Sequence, residues 1–179
     1  MKPSTPELRF VIASTQAHYG AMSEIMALGW HDTYPGYVPE EYLRTVITPG
    51  HWVADFQLDH DTGRAMGLLL YEDSTPVGCV RLGSARPEHQ AAYPNWGELI
   101  SFYVHPSHRG RGFGGLLMEE SLRLLKAAGH RQAFVLVLRE NESARRFYAA
   151  HGFAWDGTSV EIPFPPDAVC VDYRYTRSL

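Results

Sequence analysis

The sequence predicts an α/β or α+β layered domain around a mixed sheet. Three observations carry that prediction. The apolar runs Met66–Tyr71 and Val77–Leu82 are separated by Glu72-Asp73-Ser74-Thr75-Pro76, a cluster of turn formers, and read as a hairpin. From Glu98 onward the pattern alternates between an apolar strand, a glycine-rich turn, an amphipathic helix, a second strand and a second helix. The chain has 179 residues, 45% hydrophobic and 20% charged, which suits a single domain over residues 1–179 with a sizeable core.

Each element has its own signal. Leu8 to Ile12 reads as a first strand. Thr15 to Leu28 reads as a helix, with Ala17, Met22, Ile25, Met26 and Leu28 for its apolar face and Gly29 as its expected end. Trp30 to Pro39 reads as an aromatic loop, and Pro39-Glu40-Glu41 opens a short helix with proline and acids in its first turn. Thr48 to Gly63 carries no decisive pattern. The hairpin follows, then a loop from Ser84 to Asn95 containing Pro87 and Pro94. Glu98 to Val104 is almost continuously apolar, as a strand buried on both faces would be. A helix from about Gly112 to Ala128 places Leu117, Ser121, Leu124, Leu125 and Ala128 at three- and four-residue spacing and ends at Gly129. Gln132 to Leu138 reads as a strand. Asn141 or Ser143 caps a helix to Ala150, and two final strands, Phe153–Ile162 and Val169–Thr176, flank a proline-rich link. The expected order is therefore β-α-α-β-β-β-α-β-α-β-β.

The most informative stretch is Val104-His105-Pro106-Ser107-His108-Arg109-Gly110-Arg111-Gly112-Phe113-Gly114-Gly115. Glycines at 110, 112, 114 and 115 let a ligand approach the backbone closely. The following helix start presents unpaired N–H groups and a partial positive charge, an anion site most often used for phosphate. Arg109 and Arg111 add cationic donors. The spacing decides among phosphate ligands. An NTP loop needs G-x-x-x-x-G-K-[ST], and no Lys-Ser or Lys-Thr stands here. A dinucleotide fingerprint can be read at Gly110, Gly112 and Gly115, but that motif belongs on a first strand with an acid about 20 residues on. Here it begins past residue 100, and the corresponding region is Gly129-His130-Arg131-Gln132.

Arg109-x-x-Gly112-x-Gly114 resembles the R/Q-x-x-G-x-G/A signature of the GNAT family, the GCN5-related N-acetyltransferases. Asn141-Glu142-Ser143-Ala144-Arg145-Arg146-Phe147-Tyr148, followed by Gly152-Phe153, resembles the family's N-x-x-A-x-x-x-Y…G-F segment. Together the matches span residues 98 to 153. Before residue 95 only the element order and Trp30-x-x-x-Tyr34-x-Gly36, a helix-loop pattern of many bacterial members, are similar. The resemblance implies a mixed, mostly antiparallel sheet of six to seven strands flanked by about four helices. It also implies acetyl-CoA as co-substrate, with its pyrophosphate on the turn formed by Arg109, Gly110, Arg111, Gly112, Phe113, Gly114 and Gly115. The pantetheine arm is implied to run as a pseudo-strand along the backbone of Phe102, Tyr103 and Val104, in a gap between this strand and the one near Val135.

Acetyl transfer to an amine needs a neutral nitrogen, N–H donors for the developing oxyanion and a proton for the departing thiolate. Glu98 opens its strand and is the first candidate base, against the simpler reading of a solvated strand-end acid; His31, His51, His105 and His108 are rivals. By resemblance Tyr148 faces the CoA sulfur as general acid; its plain reading is a core tyrosine. Asn141 and Ala144 match the segment that orders the pantetheine arm, and Asn141 is equally readable as a plain N-cap. Trp30, Tyr34 and Tyr37, with Trp52, Tyr93 and Trp96, are candidates to wall an acceptor pocket or simply to pack. Cys170 reads as a small buried hydrophobe.

The expected activity is acetyl-CoA-dependent N-acetylation of a primary amine on a small molecule or peptide, by direct attack in a ternary complex. The alternative is an acyl-CoA-binding sensor without turnover. Net charge is −4 and the pI about 6.1, so no global field draws the chain to nucleic acid. Two cysteines make no disulfide framework. Met1 to Pro6 has no apolar signal region, and no run is long enough to span a membrane. A cytoplasmic monomer or homodimer, without a metal, is expected.

Overall fold

The computed structural model describes residues 5–179; most of the Met1–Pro6 segment lies outside them. Seven strands form one sheet: β1 (Leu8–Ile12), β2 (Met66–Glu72), β3 (Thr75–Ser84), β4 (Gly97–Val104), β5 (Gln132–Leu138), β6 (Ala154–Phe164) and β7 (Ala168–Ser178). Six helices accompany them: α1 (Gln16–Thr33), α2 (Glu40–Thr45), α3 (Val53–Thr62), α4 (Pro87–Gln90), α5 (Phe113–Ala127) and α6 (Glu142–Ala150). The strand order is β1-β2-β3-β4-β5-β7-β6, antiparallel at every pairing except β4 with β5.

The alternation of side chains along β2 builds two layers of core. Leu68 and Leu70 face Leu117, Met118 and Leu125 of α5, whereas Leu69 faces Met22 and Ile25 of α1 and Phe56 of α3. Successive strand residues point to opposite faces, so a sheet apolar on both must carry helices on both.

The β4–β5 pairing positions the site. It holds only from Gly97 opposite Ala133 to Leu99 opposite Val135. Beyond that point both strands continue, each paired on its outer side. Val104 of β4 lies opposite Gly78 of β3, and Leu138 of β5 lies opposite Asp172 of β7. The sheet therefore opens into a V whose inner edges, from Ile100 and from Leu136, carry backbone N–H and C=O groups without a neighbouring strand. This is the expected gap, and it corrects the expectation that β4 is buried throughout. Only its first three residues are fully buried.

Two further expectations are corrected. There are six helices rather than about four, because α3 occupies the patternless Thr48–Gly63 stretch and α4 the Ser84–Asn95 loop. Helix α1 does not stop at Gly29 but runs to Thr33, so Trp30 is helical rather than part of a loop. No helix among the described residues is long and apolar enough to cross a membrane.

Candidate active site

The glycine-rich turn folds as its sequence requires. His105 caps a single 3-10 turn, Pro106–His108, its Nδ1 accepting from the Ser107 amide at 3.3 Å. Gly110 (φ +76°) and Gly112 (φ +85°) then take left-handed conformations that place a non-glycine residue under strain. Gly112 is the N-cap of α5. No side chain caps that helix, its first turn holds no acid, and its first internal bond is Leu116 N–H to the Gly112 carbonyl at 3.3 Å. The N–H groups of residues 113 to 115 are thus left for a ligand. Both nearby arginines already hold carboxylates. Arg109 pairs with Asp32 at the end of α1, and Arg111 pairs with Glu72 of β2 while lying 4.8 Å from the centre of the Phe113 ring. They brace the turn against α1 and β2 and leave backbone amides as the principal anion donors.

From this turn a groove of about 790 Å³ runs over the open V, past Val104 and Gly114, to Tyr148. A second cavity, about 290 Å³, lies beyond it. The two meet at Phe102, Tyr103, Asn141, Ala144 and Tyr148, which line both. Asn141 caps α6, its Oδ1 accepting from the Ala144 amide at 3.1 Å. That cap directs the helix so that Tyr148, two turns on, reaches the junction. Tyr148 is 6% exposed and packs edge-on against Phe102, Phe147 and Phe153. Its hydroxyl makes no hydrogen bond among the described residues. Burial pushes its pKa above the ordinary phenol value, so the group keeps its proton at neutral pH.

The aromatic candidates divide. Trp30 and Tyr34 wall the second cavity, stacked at 4.3 Å between ring centres, with Trp52 and Phe164 at 5.7 and 5.9 Å from Trp30. Tyr37 does not join them: it is exposed and lines the longer groove. Tyr93 and Trp96 lie under α4, with Tyr93 stacked on Phe134. Among the histidines, His31 is taken up by the Ile47 carbonyl at 2.8 Å, and His51 packs on Trp52.

Glu98 is not the solvated strand-end acid of the simpler reading. It is 1% exposed and sits where β4 and β5 are still paired. Both carboxylate oxygens are taken: Oε1 accepts from the Arg86 guanidinium at 2.7 and 3.0 Å, and Oε2 from the Arg86 amide at 2.9 Å. It is the Arg86 side chain, not Glu98, that reaches the second cavity.

Asp172 was not legible as a site residue. It stands mid-way along β7 and lines the second cavity with Cys170, two residues earlier on the same face. Its carboxylate has no ion pair or hydrogen bond among the described residues. Burial first and the nearby Glu140 charge second, partly opposed by Arg86, raise its pKa to about 6. The available signal was a lone acid in an otherwise apolar strand, Ala168-Val169-Cys170-Val171-Asp172. Such an acid reads by default as one that points to solvent.

Comparison with known proteins gives the family. A model of the acetyltransferase (GNAT) family matches residues 24–153. Spermidine N(1)-acetyltransferase of Thermoplasma acidophilum is 25% identical over 141 residues, covering 75% of this chain and 81% of that protein. The PaiA N-acetyltransferase of T. acidophilum, solved with coenzyme A, superposes with a TM-score of 0.74 at 20% identity, over 96% of this chain and 99% of the other. YncA of Salmonella typhimurium, solved with its cofactor acetyl-CoA, gives 0.73 at 19% identity, over 98% and 95%. The glycine turn and the Asn141–Tyr148 segment both lie inside the matched span, and the whole architecture is shared: this chain belongs to the GNAT family and is an N-acetyltransferase.

Proposed function

We propose that the chain transfers an acetyl group from acetyl-CoA to the primary amine of a small molecule or peptide, by direct attack in a ternary complex. The observation that carries this reading is the meeting of two cavities at Tyr148. One leads from an uncapped helix start along an unpaired strand edge, and the other is walled by aromatic rings. The residues present fit acetyl-CoA. The amides of residues 113 to 115 suit a pyrophosphate, and the inner edge of β4 from Phe102 to Val104 suits an extended amide-bearing arm. Tyr148, protonated and close to both cavities, is placed to give a proton to a departing sulfur. Relatives support the same reading, since one is named for an amine acceptor and two structures of this fold hold coenzyme A or acetyl-CoA.

Calorimetry with CoA, and acetyl-CoA consumption across a panel of primary amines, test it. Micromolar-range CoA binding with turnover of at least one amine is expected. Tight CoA binding with no turnover on any amine would make the chain an acyl-CoA sensor instead.

A further inference from the structure

The second cavity contains a carboxylate with no ion-pair or hydrogen-bond partner among the described residues. Trp30, Tyr34, Trp52 and Phe164 form an aromatic wall, and Asp172 projects into the same space from β7. Its neighbours are Tyr34, Cys170, Glu140 and Arg86. Arg86 is held by Glu98 and Glu88, and Glu140 by Arg139, so each charged neighbour already has a partner. A half-buried unpaired carboxylate costs stability unless a cation arrives to meet it. Aromatic faces around it favour the same kind of guest. Arg81 and Arg86 also line the cavity, and each is held by a carboxylate, Asp59 and Glu98 respectively.

Resting on the acetyl-transfer reading above, we propose that Asp172 binds the ammonium of a compact primary amine with an apolar or aromatic body, and takes its proton. The Asp172 carboxylate accepts one proton from R–NH3+ and becomes the acid. The neutral nitrogen lone pair forms a C–N bond to the thioester carbonyl carbon, and the C–S bond breaks. The hydroxyl of Tyr148 protonates the leaving sulfur and regains its proton from the acylated nitrogen. Asp172 then releases the first proton to water, so one acetyl-CoA and one ammonium give one amide, one CoA thiol and one proton.

Calorimetry on the CoA-saturated protein tests this with benzylamine, its neutral isostere benzyl alcohol, and spermidine. Benzylamine should bind at pH 7.5 at least tenfold more tightly than benzyl alcohol. Its affinity should fall as the pH drops below about 6, while benzyl alcohol binding stays flat. Asp172→Asn should lose at least tenfold in benzylamine affinity and all of the pH dependence, and keep its CoA affinity. Asp172→Glu, which retains the charge, should keep part of the preference for amine; with the wild-type pH series it carries the test if the Asn variant fails to fold. Equal binding of amine and alcohol, or an unchanged Asn variant, overturns the assignment, as does absence of benzylamine binding. Spermidine binding tenfold tighter than benzylamine overturns the apolar or aromatic body. Turnover is scored separately. Wild-type protein that binds benzylamine through Asp172 yet acetylates no amine removes the transfer reading and leaves the cation site. Amine turnover that survives Asp172→Asn undiminished removes the site and leaves the transfer reading.

Discussion

A Cβ placed on Gly29 would lie 2.8 Å from Cε1 of Tyr103. The ring of Tyr103, on the open edge of β4, lies directly against the backbone of α1, and only a glycine in that helix leaves room for it. Helix α1 is therefore dented where it faces the V, and Tyr103 fills the dent while lining both cavities.

Gly29→Ala should accordingly destabilise the protein, although alanine is the better helix former by about 1 kcal/mol. Overpacking against a ring held by its neighbours costs about 1–3 kcal/mol. A lower Tm together with weaker CoA binding is the expected pair of results. A rise in Tm would show that the ring moves freely and that the dent is not required.

At the glycine turn, Gly112→Val and Gly114→Val should each lower CoA affinity at least tenfold in calorimetry. Gly112 sits at φ +85°, where a β-branched residue is strained. At Gly114 a Cβ would press on Phe147 at 3.1 Å and narrow the groove. Arg109→Ala and Arg111→Ala should cost less, because those guanidiniums are engaged with Asp32 and Glu72. Larger losses in the arginine variants than in the glycine variants would move the anion site from the amides to the side chains.

Tyr148→Phe keeps the ring packing against Phe102 and Phe153 and removes only the hydroxyl. If the hydroxyl acts on the departing sulfur, kcat should fall about 10²–10⁴-fold while acetyl-CoA affinity stays close to that of the wild type. Steady-state kinetics with any accepted amine, beside calorimetry, separates the two parameters. Near wild-type turnover would leave Tyr148 as a packing residue.

The sequence was most readable where local chemistry decides structure. The glycine turn, the Asn141 cap and the apolar runs of the β2–β3 hairpin each follow from residues within a few positions of one another. The reach of α1 beyond Gly29 was not readable, because the residue that needs that glycine, Tyr103, is 74 positions away. Glu98 looked like an accessible strand-end acid, since nothing local announces that Arg86 returns to cover it. Tyr37 falls three residues after Tyr34, but a turn at Gly36 (φ +85°) sends it to the other cavity. Asp172 gave no local sign of its environment, which is assembled from α1, β5, β6 and the segment before α4. Motifs carried the co-substrate side of the site, and tertiary packing determined the acceptor side.

Glu98→Gln separates a bracing role for that carboxylate from a catalytic one. Unpairing a buried ion pair costs about 3–5 kcal/mol when one partner is lost outright. Glutamine retains some of the Arg86 contacts, so a smaller loss, about 2–3 kcal/mol, is expected in denaturant unfolding. The pH dependence of kcat/KM should keep its wild-type shape. A selective collapse of kcat/KM near neutral pH, recovering as the pH approaches the amine's own pKa, would restore Glu98 as the base.

Asp172 should cost the fold stability in proportion to its charge. Its pKa is raised from 3.8 to about 6, so between these values the folded state binds a proton that the unfolded chain does not. Stability linked to this group therefore rises as the pH falls from about 6 to about 4, and above pH 6 the folded protein bears the full cost of a half-buried, unpaired carboxylate. Asparagine resembles the protonated acid and avoids that cost at every pH. Asp172→Asn should thus be more stable than the wild type at pH 8, by about 2–3 kcal/mol at roughly 1.4 kcal/mol per pKa unit. The gain should shrink through pH 6 to 4 and vanish below. Urea unfolding of both proteins at pH 8, 6 and 4 measures it. A gain independent of pH would mean that the carboxylate titrates alike in the folded and the unfolded chain, so that its site does not perturb it. A loss at pH 8 would mean that it is already paired, and an acceptor ammonium would then have nothing to meet there.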